Sequence, residues 1–121
     1  MPMNIGKFVV DMERFKKISA KPKFLAKFFS PQEMKFLMER HFPMYTIAEM
    51  FSAKMAFLKA MGVTAKGCKM NEVSVMTDYN GIYYISLSGK AKTVFAAKHR
   101  KIAMDCTHTR HVALATVILY E

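Results

Sequence analysis

Lys54 and Lys59 stand five residues apart in the run from Phe51 to Gly62, and His108 lies alone near the C-terminus. A lysine ammonium is a compact cation suited to phosphate or carboxylate, and an imidazole moves protons near neutral pH. Two lysines at that spacing also occur as solvated groups on any helix, and a lone histidine occurs in many turns. Further cations crowd the N-terminal third, where Arg14, Lys16, Lys17, Lys21 and Lys27 belong to eight basic residues within residues 1–35, against three acidic ones. The whole chain carries a formal net charge of +10. Such a surface attracts nucleic acid, anionic membrane, a phosphorylated ligand or an acidic protein. No nucleic-acid motif accompanies it, which argues against the first of these. Cys68 and Cys106 have neither metal-ligand nor redox spacing and read as reduced structural thiols. His41, His99 and His111 belong to no motif.

These groups need a scaffold, and 121 residues make a single domain with one modest core. Apolar residues form 52% of the chain, so it is not a disordered segment. No apolar run approaches a membrane span and the N-terminus lacks a secretory apolar region, so a cytoplasmic protein without a membrane partner is expected. Ile5–Met12 reads as a first strand, followed by a short basic helix over Glu13–Ile18. Pro22 opens a segment over Lys23–Phe29. Ser30-Pro31-Gln32-Glu33 has the form of an N-cap, a first-turn proline and a capping-box glutamate, with a helix to about Arg40. A longer helix is expected from about Thr46 to Met61, stopped by Gly62. Val73–Met76 and Ile82–Leu87 flank the turn signal Asp78-Tyr79-Asn80-Gly81 and predict a hairpin. Gly89–His99 can form a helix, and Ala103–Asp105 with Val112–Tyr120 close the fold as strands. The expected class is α+β, with the main helix packed on an antiparallel sheet.

Several stretches carry more specific information. Phe51, Lys54, Ala56, Lys59, Ala60 and Gly62 resemble the signature helix of holo-acyl-carrier-protein synthases, the small 4'-phosphopantetheinyl transferases. Gly6 to Phe15 is similar to that family's N-terminal strand and Arg-Phe, with Arg14 and Phe15 fixing the register. Phe24 to Glu33, Gly81 to Gly89 (Tyr83 replacing a proline) and Asp105 to Val117 match further family segments in order. The resemblance spans residues 1–121 and implies a trimer with its active site at subunit interfaces. It also implies coenzyme A as phosphopantetheine donor and an acyl carrier protein of fatty acid or polyketide biosynthesis as acceptor. Lys54, Lys59 and His108 then fall at coenzyme-binding positions, with Lys59 nearest the reacting phosphate. Arg14, Lys16, Lys17, Lys21 and Lys27 fall where the acidic carrier protein docks.

Three positions depart from the family. Its metal-binding aspartate is Phe8, its helix glutamate is Met55, and the arginine before the signature phenylalanine is Met50. Magnesium needs oxygen ligands; a phenyl ring offers none and a thioether is a soft sulfur. Asp11, three residues from Phe8, belongs to the opposite strand face, and Glu49 points elsewhere on the helix. Loss of both acids removes the cost of a buried unpaired carboxylate and permits a sulfur–aromatic contact, so Phe8 and Met55 are expected to touch. The resemblance thus implies a carrier-protein-binding homologue whose magnesium-dependent transfer is weak or lost. Two alternatives stay open: an active 4'-phosphopantetheinyl transferase with its metal ligand elsewhere, and a structural subunit assembling with an active paralogue.

Overall fold

Each strand and helix of the chain is short except one, and that one organises the rest. The computed structural model describes residues 3–121. In chain order the elements are β1 (Asn4–Asp11), α1 (Met12–Ser19), α2 (Pro22–Phe28), α3 (Pro31–Glu39), α4 (Met44–Met61), β2 (Val73–Thr77), β3 (Tyr83–Leu87), α5 (Gly89–Ala96), β4 (Lys101–His108) and β5 (Val112–Tyr120). Two 3-10 turns, Gly62–Ala65 and Met70–Glu72, lie between α4 and β2.

The strands form an antiparallel three-stranded sheet in the order β1-β5-β4 and a separate β2-β3 hairpin. β5 alternates strictly, burying Ala113, Ala115, Val117 and Leu119, the period-2 pattern of a half-covered strand. α4 covers that face and packs against β1, β5 and β4. Its sheet side is built of Ala48, Ser52, Ala53, Ala56 and Ala60, all buried, so helix and sheet approach closely. Gly6 marks the tightest point, because a Cβ there would collide with the Ala56 carbonyl and lie 2.6 Å from the Ala60 nitrogen. Gly62, at φ +60, ends the helix and donates its N–H to the carbonyls of Leu58 and Lys59.

α3 starts as its residues dictate: the Ser30 hydroxyl accepts from the Glu33 N–H, and the Glu33 carboxylate accepts from the Ser30 N–H. Some boundaries differ from the expectation. α4 begins two residues earlier, with Pro43 as its N-cap. α5 stops at Ala96, short of His99, which adopts φ +52. β4 is longer than Ala103–Asp105 because its ladder with β5 continues from Lys101 to His108, and side-chain pattern alone does not report a ladder. The α+β class, with the main helix on an antiparallel sheet, is as expected. Among the described residues no helix is long and apolar enough to cross a membrane.

Candidate functional site

The sequence-predicted residues fall into two groups on opposite edges of the sheet. On the β1 edge, Phe8 faces inward opposite Ala115, and its half-buried ring meets Phe51 edge-on, with centroids 6.1 Å apart. The Lys59 ammonium lies 5.2 Å from the centre of the same ring. Phe51, Met55 and Lys59 recur every four residues and so share one stripe of α4. Met55, half-buried, is the middle member of that stripe. Behind Phe8, Phe51 packs against Phe15 and Phe24 in tilted contacts at 5.4 Å each and meets Phe28 edge-on at 5.8 Å. Phe8 and Phe51 thus form part of an aromatic cluster, with Lys59 exposed beside it.

On the β4 edge, His108 forms a second group. Its Nδ1 lies 2.9 Å from Oε2 of Glu49, and the Tyr45 ring stacks on the imidazole at 4.4 Å and 15°. The Tyr83 hydroxyl donates to Oε1 of Glu49 at 2.8 Å. Glu49 thereby joins α4 to both sheets. Burial, the Glu49 hydrogen bond and the Glu49 charge push the Tyr83 phenol well above its usual range. The neighbouring Cys106 thiol is pushed up to about 12, first by burial and then by the charges of Glu49 and Asp105. It stays protonated, and both cysteines are free thiols.

The residues at the family's metal positions do not fit magnesium. Phe8 and Met55 supply no oxygen, and Met50 is fully buried. Asp11 caps α1, accepting from the backbone N–H groups of Glu13 and Arg14. Glu49 is engaged by Tyr83 and His108. Among the described residues no cluster of three or more His, Cys, Asp or Glu side chains has the form of a metal site.

Lys54 corrects an expectation. The motif puts it with the coenzyme, but its side chain is fully enclosed. The ammonium donates to Glu33 Oε1, to the Phe28 carbonyl at 2.7 Å and to the Met70 carbonyl at 3.1 Å. All three of its donors are used internally, leaving none for a phosphate. Burial holds this amine below the ordinary lysine range, while the charge and hydrogen bond of Glu33 draw it partly back.

Comparison with known proteins decides the family. The sequence profile of the 4'-phosphopantetheinyl transferase superfamily matches residues 9–117. A holo-[acyl-carrier-protein] synthase of Clostridium botulinum is 32% identical over 120 residues, covering 98% of both chains. The chain belongs to the holo-acyl-carrier-protein synthase family. Among solved structures, the Chronobacterium ammoniagenes synthase in complex with coenzyme A superposes with a TM-score of 0.86 at 22% identity, over 99% of this chain and 98% of that one. The Helicobacter pylori synthase, also with coenzyme A, gives 0.78 at 25% identity, over 95% and 98%.

Within this holo-acyl-carrier-protein synthase fold, Arg14, Lys16, Lys17, Lys21 and Lys27 are all exposed on α1, α2 and their junction. Of these, Arg14 lines a groove of about 250 Å³ together with Phe8, Val9, Val10, Asp11, Phe15, Ile18 and Phe51. Sequence reasoning missed Glu49 and Tyr45 as partners of His108. The spacing of 45 and 49 puts both on one side of α4, but their meeting with His108 depends on the β4 register, which the sequence does not show.

Proposed function

We propose that this chain binds coenzyme A and an acidic acyl carrier protein in the cytoplasm, with magnesium-dependent phosphopantetheinyl transfer weak or lost. The observation that carries this reading is the replacement of the metal acids by Phe8 and Met55 on the Phe51–Lys59 stripe of α4. Coenzyme A binding is supported by the solved relatives that hold it, and Lys59 and His108 are the residues assigned to it here. Carrier-protein docking is supported by the exposed Arg14, Lys16, Lys17, Lys21 and Lys27 of α1, α2 and their junction, with Arg14 on a largely apolar groove; a basic surface steers an acidic partner.

A homotrimer is part of the proposal. Phe8 and His108 lie on β1 and β4, separated by β5, two strand spacings or roughly 10 Å apart. Their neighbours on α4 differ, Phe51 and Lys59 for Phe8 and Tyr45 and Glu49 for His108, and the family resemblance implies a trimer with its active site at subunit interfaces. The outer sheet face also exposes apolar Ile5 (55%) and Val9 (62%), which assembly would cover.

The test incubates pure protein with coenzyme A and an apo-acyl carrier protein, with and without magnesium, and reads the carrier's mass. Slow or absent conversion that magnesium does not accelerate is expected; rapid magnesium-dependent conversion would overturn the reading. The active-transferase alternative draws support from the exposed Lys59 and the Glu49-held His108, which survive although the acids do not.

A further inference from the structure

We infer that Glu49, backed by Tyr83, is a positioning residue that fixes His108 in the Nδ1–H tautomer and makes Nε2 the proton acceptor of the cleft. An ionised carboxylate only accepts hydrogen bonds, so in the 2.9 Å contact between Glu49 Oε2 and His108 Nδ1 the ring nitrogen donates. The hydrogen bond at one ring nitrogen sets the state of the other; in the neutral ring Nε2 is left with its lone pair. Nε2 has no hydrogen-bond partner among the described residues, and the His108 side chain is 40% exposed, so this lone pair is open to a ligand.

Each neighbour strengthens the arrangement. The other Glu49 oxygen is occupied by the Tyr83 hydroxyl, which stays protonated and keeps donating because burial and Glu49 itself resist its ionisation. Tyr45 stacks flat against the imidazole at 4.4 Å and blocks ring rotation. Cys106, two residues earlier on the same strand face, is held as a thiol and does not compete as a base. A carboxylate on an oriented imidazole whose far nitrogen is free is the arrangement of a general base.

The inference rests on the proposed binding of coenzyme A and carrier protein, and it applies to whatever transfer the chain performs without the metal. The carrier serine oxygen forms its bond to the β-phosphorus of coenzyme A, the side bearing pantetheine. The pyrophosphate P–O bond breaks, with its electron pair leaving on the 3',5'-ADP phosphate. The serine proton passes to Nε2, so atoms and charge balance with no further reactant.

Two measurements test this. Imidazole ¹H–¹⁵N spectra of the whole protein, taken above the ordinary histidine range, should show His108 protonated at Nδ1 and bare at Nε2. In Glu49→Gln, whose amide still accepts from Tyr83 but offers N–H to Nδ1, the tautomer should reverse; Nε2–H in the wild type, or no change in the variant, would overturn the positioning role. Single-turnover transfer with the protein in excess over apo-acyl carrier protein, read by mass, should be about 10²-fold slower in Glu49→Gln, the lower range for general base catalysis. Equal rates, or no transfer from the wild type, would overturn the proton-acceptor role. Absence of coenzyme A binding by calorimetry would instead sink the proposed function, while the tautomer is read without coenzyme.

Discussion

Lys54 and Glu33 form an ion pair with both side chains sealed from solvent, linking α4 to the first turn of α3. Glu33 also accepts from the Ser30 and Val75 backbone N–H groups, so one carboxylate fastens α3, α4 and β2. Removing one member of such a pair leaves a buried charge without its partner, at about 3–5 kcal/mol. Lys54→Met should lower stability by that amount in urea unfolding. Lys54→Met combined with Glu33→Gln should recover part of it, because the amide leaves no buried charge and still offers one acceptor to the backbone. A Lys54→Met protein as stable as the wild type, but unable to bind coenzyme A, would return Lys54 to the ligand site.

The contrast between Lys54 and Lys59 shows what the sequence discloses. Both match one motif and both lie on α4, so helical spacing places them about 140° apart round the axis without saying which faces water. That depends on α3 and the turn at Met70, whose carbonyl Lys54 reaches from 16 residues away. The α3 cap, the β2-β3 hairpin and the Gly62 stop were legible because each is a local signal. The extent of β4 and the Glu49–His108 contact are set by strand register, a property of pairs of segments.

Gly6 tests the helix–sheet contact directly. A methyl group at this position meets the Ala56 carbonyl and the Ala60 nitrogen of α4, which are backbone and unable to step aside. Overpacking of a tight core costs about 1–3 kcal/mol and sometimes more. Gly6→Ala should therefore lower the thermal midpoint by several degrees, whereas Gly81→Ala, with open space around its Cβ, should cost only the strain of its positive φ. Similar losses in both variants would contradict a close approach of β1 to α4.

Restoring the acids should restore a cation site. Two converging carboxylates repel each other unless a cation lies between them, so Phe8→Asp with Met55→Glu should be less stable than the wild type without metal. Added magnesium should then raise its thermal midpoint, since a ligand at a hundred times its Kd stabilises by about 2.7 kcal/mol. Either single change should show no such response, because one carboxylate leaves most of the coordination to water. Magnesium stabilisation of the unaltered protein would mean that oxygen ligands come from elsewhere.

The basic surface predicts a salt-sensitive encounter. Arg14→Glu with Lys27→Glu reverses two exposed charges of α1 and α2, the first of them on the groove that also holds Ile18, itself 47% exposed. Rim charges act mainly on association rate. Surface plasmon resonance with an acidic carrier protein should show at least a tenfold slower on-rate and a flatter dependence on ionic strength. An unchanged on-rate would move the docking site off α1 and α2.

Alkaline stability reports on the surroundings of Glu49. Cys106 titrates near its ordinary 9.0 when unfolded and at about 12 when folded, so between those values the unfolded state has shed a proton that the folded state retains. Stability must fall as pH rises through this window, and Tyr83, shifted in the same direction, adds to the fall above its ordinary 10.0. One pH unit is worth about 1.4 kcal/mol for a fully displaced group; Cys106 is only partly enclosed, and screening reduces this to less than about 1 kcal/mol per unit. Cys106→Ala should flatten the decline in urea midpoint above pH 9, and Glu49→Gln should flatten it partly by removing the charge that opposes the thiolate. An equally steep decline in Cys106→Ala would assign the alkaline sensitivity to another group.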